Sequence, residues 1–312
     1  MSRRVLNTSV FSLIRWPNLL IAGLVQYLLY FKVLQPVLAQ FGISHSLDLL
    51  RLSMLVVMTL CVAAGGYIVN DIADVRTDEI NRPARVVISK HLSHQTAYWL
   101  YFMFQIVGFT LWLYLVFYVR RIPLLSVFPL LIGGLALYSL YLKRLPLLGN
   151  VLIALLCAAV PGMVWLLEQQ AFVQLFATDV AAGQRLKIVF LWYMASAFVL
   201  TLYRELVKDM EDVKGDSATG LRTLPVIWGV SATRYLAVVF ALVSALVVGV
   251  MLWQLQTELH AWKQIGYGLS VLLPILVSIL LLFRARTAAD YRRLSHLAKL
   301  IILMGLLLPL WL

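Results

Sequence analysis

Charge is scarce in this chain. Only 13% of its 312 residues are Asp, Glu, Lys or Arg, about half the share of an ordinary soluble domain, and acids are the scarcer sign, 14 against 26 basic residues. Cysteine is nearly missing too: Cys61 and Cys157 are the only two, and both fall in apolar runs without metal-ligand spacing. They read as small core side chains rather than a disulfide frame. The five histidines, His45, His91, His94, His260 and His296, form no ligand cluster, which argues against zinc. No low-complexity stretch or polar appendage interrupts residues 1–312, so the chain reads as one membrane-embedded domain.

Apolar residues fill the space instead, at 62% of the chain with a mean hydropathy of +0.90. Nine runs are long enough, or nearly so, to cross ~30 Å of hydrocarbon as helix; they fall near residues 16–38, 52–69, 96–119, 123–142, 147–167, 188–202, 235–255, 265–283 and 297–312. The expected class is therefore an all-α polytopic membrane protein. MSRRVLNTSVF leads into the first run without a cleavage-site pattern, as expected of a retained anchor.

The net charge of +12 invites a nucleic-acid partner, but its distribution does not. With the N-terminus inside, 19 of the 26 basic residues fall on the cytoplasmic side, leaving Lys32, Arg51, Arg120, Arg121, Arg185, Lys187 and Lys263 on the other. Such a bias orients a membrane protein, and it predicts N-terminus in, C-terminus out, and no nucleic acid.

The acids are gathered as unevenly. NDIADVRTDEINRP, residues 70–83, and YRELVKDMEDVKGD, residues 203–216, hold nine of the fourteen. Asp71, Asp74 and Asp78 follow D-x-x-D-x-x-x-D, and Asp209, Asp212 and Asp216 repeat it. On a helix, offsets of three and seven bring three carboxylates onto one face. One stripe follows the second run and the other the sixth, which suggests two four-helix halves plus one helix around a central cavity.

Six aspartates facing one another need a cation between them. Mg²⁺ suits them, because it takes one or two carboxylates, keeps several waters and leaves positions for phosphate oxygens. The candidate ligands are Asn70, Asp71, Asp74, Asp78, Asp209, Asp212 and Asp216. Phosphate would also need positive partners, and Arg76, Arg82, Arg85 and Lys90 accompany the first stripe while Arg204, Lys208, Lys214 and Arg222 surround the second. Lys208 occupies the place of Asn70 in the repeat, an ammonium where the first stripe has a neutral oxygen. Magnesium, diphosphate and an apolar cavity together fit ionisation of an allylic prenyl diphosphate. Aromatic faces would stabilise its cationic carbon, with Tyr67, Tyr138, Tyr141 and Tyr203 well placed by position; Tyr138 and Tyr203 are the first candidates.

These residues resemble the UbiA superfamily of intramembrane prenyltransferases. Asn70-Asp71-Asp74-Asp78 matches its N-D-x-x-D-x-x-x-D motif and Asp209-Asp212-Asp216 its second. Arg15 and Asn18 in RWPN match an R-x-x-N segment, and Tyr138 to Asn150 match Y-S-x-x-L-K-R-x-P-L-L-G-N. The resemblance implies nine helices, Mg²⁺ on both motifs, a prenyl diphosphate donor and a small acceptor, with Arg15 and Lys143 as diphosphate contacts. After the first motif the chain departs from N-R-P-x-R-P-L-P-S-G and reads NRPARVVISKH, so a differently shaped cap loop is expected, with Lys90 as an added phosphate contact. The run at residues 204–225 is most similar to the subgroup that prenylates geranylgeranylglyceryl phosphate. An aromatic acceptor, as in quinone biosynthesis, stays open. So does an ion-coupled transporter, although the carboxylates fall outside the apolar centre where coupling residues belong. The D-G-x-x-A-R signature of CDP-alcohol phosphotransferases is absent.

Overall fold

Hydrophobic runs of this length have one stable solution in lipid, the helix that satisfies its own backbone. A computed structural model describes residues 10–255 and 260–310, the side chain of Arg85 excepted. Nine membrane-length helices run through the described residues: α1 Trp16–Gln40, α2 Leu49–Asn81, α3 His94–Tyr118, α4 Ile122–Arg144, α5 Leu148–Leu167, α6 Val180–Ala218, α7 Gly229–Gln254, α8 Ala261–Arg284 and α9 Ala288–Leu310. Large apolar side chains such as Ile106, Leu130, Leu246 and Leu280 point outward. That surface suits acyl chains and would be insoluble in water. The protein is an integral membrane protein.

Several helix ends differ from what hydropathy suggests. α2 has 33 residues and α6 has 39, so at 1.5 Å per residue they run about 50 and 58 Å, well beyond ~30 Å of hydrocarbon. Both aspartate stripes are thus continuous helix rather than loop. α9 starts nine residues earlier than its apolar run. Most of the segment that hydropathy leaves between the eighth and ninth runs forms its first turns, launched by a capping box in which Thr287 and Asp290 each accept from the other's backbone. Side chains also cap α2 (Asp48), α3 (Ser93) and α6 (Asp179). α1 contains a π-helical stretch, Leu29–Leu34, and the loop after α5 folds as a helix, Gln169–Thr178. Trp311 and Leu312, the end of the expected ninth run, lie outside the described residues.

α2 and α6 are the two hubs. α2 packs against α1, α3 and α4; α6 packs against α5, α7 and α9; and the hubs touch each other. The expected arrangement of halves follows from this. At the end away from the acids, Glu168 is fully buried and accepts 2.7 Å hydrogen bonds from the backbone N–H groups of Ser46 and Leu47, tying the α1–α2 loop to the end of α5.

Candidate active site

Two spaces open between the helices at their acid-bearing ends. The inner one, about 280 Å³, is an apolar chamber walled by residues such as Val25, Val62, Leu135, Ile153 and Ile302, with Tyr67 and Tyr138 also on its wall. The outer one, about 880 Å³, is a polar vestibule reached by Asp71, Asp78, Arg82, Glu211, Arg292 and His296. Arg15, Arg204, Lys208 and Lys299 line both. A collar of cations therefore marks the junction between an apolar space and a polar one.

Most carboxylates of the stripes are held by a donor from another helix or turn. Arg15 donates to Asp71 at 2.7 Å, and Lys143 pairs with Asp74, which also accepts from Asn70 at 2.8 Å. Arg82, at the end of α2, reaches both oxygens of Asp212 on α6 at 2.8 Å and lies 3.2 Å from Glu211. Asn150 donates to Asp209 at 2.8 Å and Thr223 to Asp216 at 3.1 Å. Asp78 has no side-chain partner among the described residues and faces the vestibule. Asp74 and Asp216 lie within electrostatic reach of each other across the gap, so the stripes do face. On the collar, Glu205 takes Arg204 at 2.6 Å and Lys208 at 3.2 Å.

Local backbone geometry aims these groups. Arg15 has φ 51° and ψ 51°, a left-handed conformation that costs a non-glycine residue about 1–2 kcal/mol. It follows a short helical turn at residues 10–13 and caps α1, which has Pro17 in its first turn. The bend lays the guanidinium over the Tyr67 ring, 4.9 Å from its centroid, while Asn18 donates to the Tyr67 hydroxyl at 3.2 Å. Lys143 is returned towards Asp74 by the turn between α4 and α5. There a Cβ on Gly149 would come 2.9 Å from the Lys143 Cα, so the closeness requires glycine. Asn81 ties the hubs, donating to the Asp212 carbonyl at 3.0 Å and accepting from the Gly215 N–H at 2.7 Å.

The family model of the UbiA prenyltransferases matches residues 33–304. The chain belongs to the UbiA prenyltransferase family. The digeranylgeranylglyceryl phosphate synthase of Methanopyrus kandleri is 34% identical over 189 residues, 61% of this chain and 62% of that protein, so the match spans less than two thirds of that relative. The protein of the same name from Thermococcus kodakarensis is 27% identical over 286 residues, 90% of this chain and 89% of its own length. Among solved structures, a UbiA homolog from Archaeoglobus fulgidus bound to DMAPP and Mg²⁺ shares the fold, with a TM-score of 0.56 at 13% identity over 97% of this chain and 100% of that one. Membership in a prenyltransferase family sets aside the transporter reading.

Within this UbiA site, the candidates from sequence occupy different places. Asp71, Asp78, Arg15, Arg82 and Lys208 line the vestibule, and Asn70 and Tyr138 line the chamber. Asp74, Asp209, Asp212, Asp216 and Lys143 form the second layer of pairs just described. Tyr203 does not join them: it is 1% exposed and packed in the hydrophobic core, because its place on α6 turns it away from the chamber. Tyr141 is exposed on the outside. Cys157, expected to be a core residue, lies on the chamber wall. Lys90 binds the Pro83 carbonyl at 2.6 Å and staples its own loop, whose Val87 and Ile88 turn inward against Leu13 and Ile68; neither Lys90, Lys214 nor Arg222 lines either space. The Arg85 side chain lies outside the described residues. The basic face of α9 is not legible from hydropathy because it precedes the ninth apolar run; the Thr287-x-x-Asp290 capping signature is the signal that marks it.

The donor set tests the expected metal. Among the described residues no three acidic, histidine or cysteine side chains group tightly enough to hold a metal ion unaided. Magnesium does not need three, since it retains waters and shares ligands with phosphate. All candidate donors are hard oxygens, and Asn70 Oδ1 is buried without any hydrogen-bond partner, an arrangement that normally has an unseen partner. The site fits Mg²⁺.

Proposed function

We propose that this protein transfers a prenyl group, in a magnesium-dependent reaction, from an allylic prenyl diphosphate to geranylgeranylglyceryl phosphate. The observation that carries the donor half is the junction itself, an apolar chamber opening through a cationic collar between two carboxylate stripes. The relatives named digeranylgeranylglyceryl phosphate synthase support the acceptor, and the A. fulgidus homolog bound to DMAPP and Mg²⁺ supports donor and metal.

Asn70, Asp71, Asp74 and Asp78 on one side, and Asp209, Asp212 and Asp216 on the other, would hold magnesium, which supplies charge stabilisation to the departing diphosphate. Arg15, Arg82 and Lys208 bind the diphosphate oxygens, and Lys143 orients Asp74 from behind. The prenyl tail occupies the chamber, placing its first carbon beside the Tyr67 and Tyr138 rings. Those ring faces favour developing positive charge, and the apolar walls exclude water that would otherwise capture it. The acceptor hydroxyl then attacks from the vestibule. The positive-inside bias supports placing this end of the molecule in the cytoplasm.

The deciding experiment is a transfer assay on purified protein in liposomes, with geranylgeranyl diphosphate and either geranylgeranylglyceryl phosphate or a set of aromatic acids. Product with the phosphate acceptor, lost with EDTA and restored by Mg²⁺, is expected. Product with aromatic acceptors alone would sink the ether-lipid reading while leaving the site intact.

A further inference from the structure

Opposite the α2 wall, α9 presents one unbroken stripe to the two spaces. Arg292, Ser295, His296 and Lys299 reach the vestibule, and Lys299, Ile302 and Leu306 continue into the chamber. The spacing of three and four keeps them on one helical face. Along it the chemistry changes once, from basic to apolar, and Lys299 sits at the change. The stripe has the profile of an amphiphile with an anionic head and a hydrocarbon tail.

The cation at the change, Lys299, lacks a counter-ion. Arg292 pairs with Glu211 at 2.8 Å, but among the described residues Lys299 makes no ion pair or hydrogen bond, and the charge within its electrostatic reach is another cation, Arg204. Arg204 is itself incompletely paired, because its Nε is buried without an acceptor. Glu205 answers Arg204 from one side, but Lys299 has no anion of its own, and two neighbouring cations with unused donors at the mouth of an apolar chamber favour a further anion between them. The diphosphate is assigned to other cations, Arg15, Arg82 and Lys208, none of them on α9.

We infer that Lys299 and Arg204, flanked by His296, form a second anion site that receives the phosphate of the acceptor, with the acceptor's isoprenoid chain running along Ile302 and Leu306. This rests on the proposed ether-lipid function and deepens it. It assigns acceptor selection to α9, since Lys90, Lys214 and Arg222 line neither space.

The test uses full-length protein in liposomes, comparing wild type with Lys299→Gln and Lys299→Arg. Initial rates are measured against geranylgeranyl diphosphate, geranylgeranylglyceryl phosphate and the dephosphorylated geranylgeranylglycerol. Loss of one charge-assisted contact predicts that Lys299→Gln raises KM for the phosphorylated acceptor about 10-fold or more, leaves KM for the donor within about two-fold, and narrows the preference for phosphorylated over dephosphorylated acceptor. Lys299→Arg should recover most of the loss. A rise in donor KM with an unchanged acceptor KM would reassign Lys299 to the diphosphate and overturn the inference. So would equal losses on both acceptors, or no change in a variant whose thermal midpoint matches wild type. Wild-type protein that ignores the phosphate acceptor but prenylates an aromatic acid overturns both readings. Active wild type with an indifferent Lys299→Gln overturns only this one.

Discussion

Asp74 and Asp212 show how little a carboxylate's neighbours in sequence say about its work. Each is the middle member of its stripe, each is engaged by a cation from elsewhere, Lys143 or Arg82, and each remains available to a metal through its other lone pairs. Replacing either with Asn keeps shape and hydrogen bonding but removes charge. Transfer should fall about 10²-fold or more in protein that still elutes as a monodisperse folded species, as followed with radiolabelled donor. The tyrosines offer a sharper comparison. Tyr138 lines the chamber while Tyr203 is sealed in the core, so Tyr138→Leu should lower kcat, whereas Tyr203→Phe should leave kcat and KM near wild type. Periodicity does not resolve that difference, because both residues stand near charged helix ends and only the rotation of each helix in the bundle decides which one meets substrate. The aspartates were legible because their spacing repeats; the roles of Asn150 and Thr223, which hold Asp209 and Asp216, were not, since nothing local to those residues announces a partner 59 residues away or across a turn.

Among the helices, hydropathy located nine crossings and misjudged several ends, three of them where a charged face begins. A hydropathy window stops where charge begins, at residue 69 in α2, 202 in α6 and 297 in α9. The helices do not stop there, because the charges occupy one face and are answered by neighbours. For α9 the start was written in Thr287 and Asp290, a local signal that outranks hydropathy. The continuation of α2 and α6 depends on long-range ties. Chief among them is Asn81, whose amide joins the end of α2 to the Asp212 carbonyl and the Gly215 N–H; a Cβ at Gly215 would collide with that amide. Asn81→Ala should lower stability by about 1–2 kcal/mol, seen as a reduced thermal midpoint and faster proteolysis near residues 82–93, with the chamber's apolar packing retained. Gly215→Ala should resemble it. If both variants melt like wild type, the tie is incidental.

For the molecule as a whole, the class and both motifs were readable from composition and spacing, and the junction of chamber and vestibule was not, since it is made by helices that meet only in space. That junction also has a consequence for the order in which ligands arrive. In the resting protein Arg15 spends its charge on Asp71, Lys143 on Asp74 and Arg82 on Asp212. A divalent cation alone would compete with three resident cations, and a diphosphate alone would compete with the anions held by Arg15 and Arg82. Arriving together, each frees the partner the other needs, so the ion pairs exchange rather than break. Binding of metal and diphosphate should then be mutually reinforcing, with magnesium tightening inorganic pyrophosphate by the same factor that pyrophosphate tightens magnesium. Calorimetric titration in both orders measures that factor. Independent affinities would show that the ion pairs are spectators, and a large shared factor would mean that the resting protein is its own competitive inhibitor until both halves of the substrate complex are present.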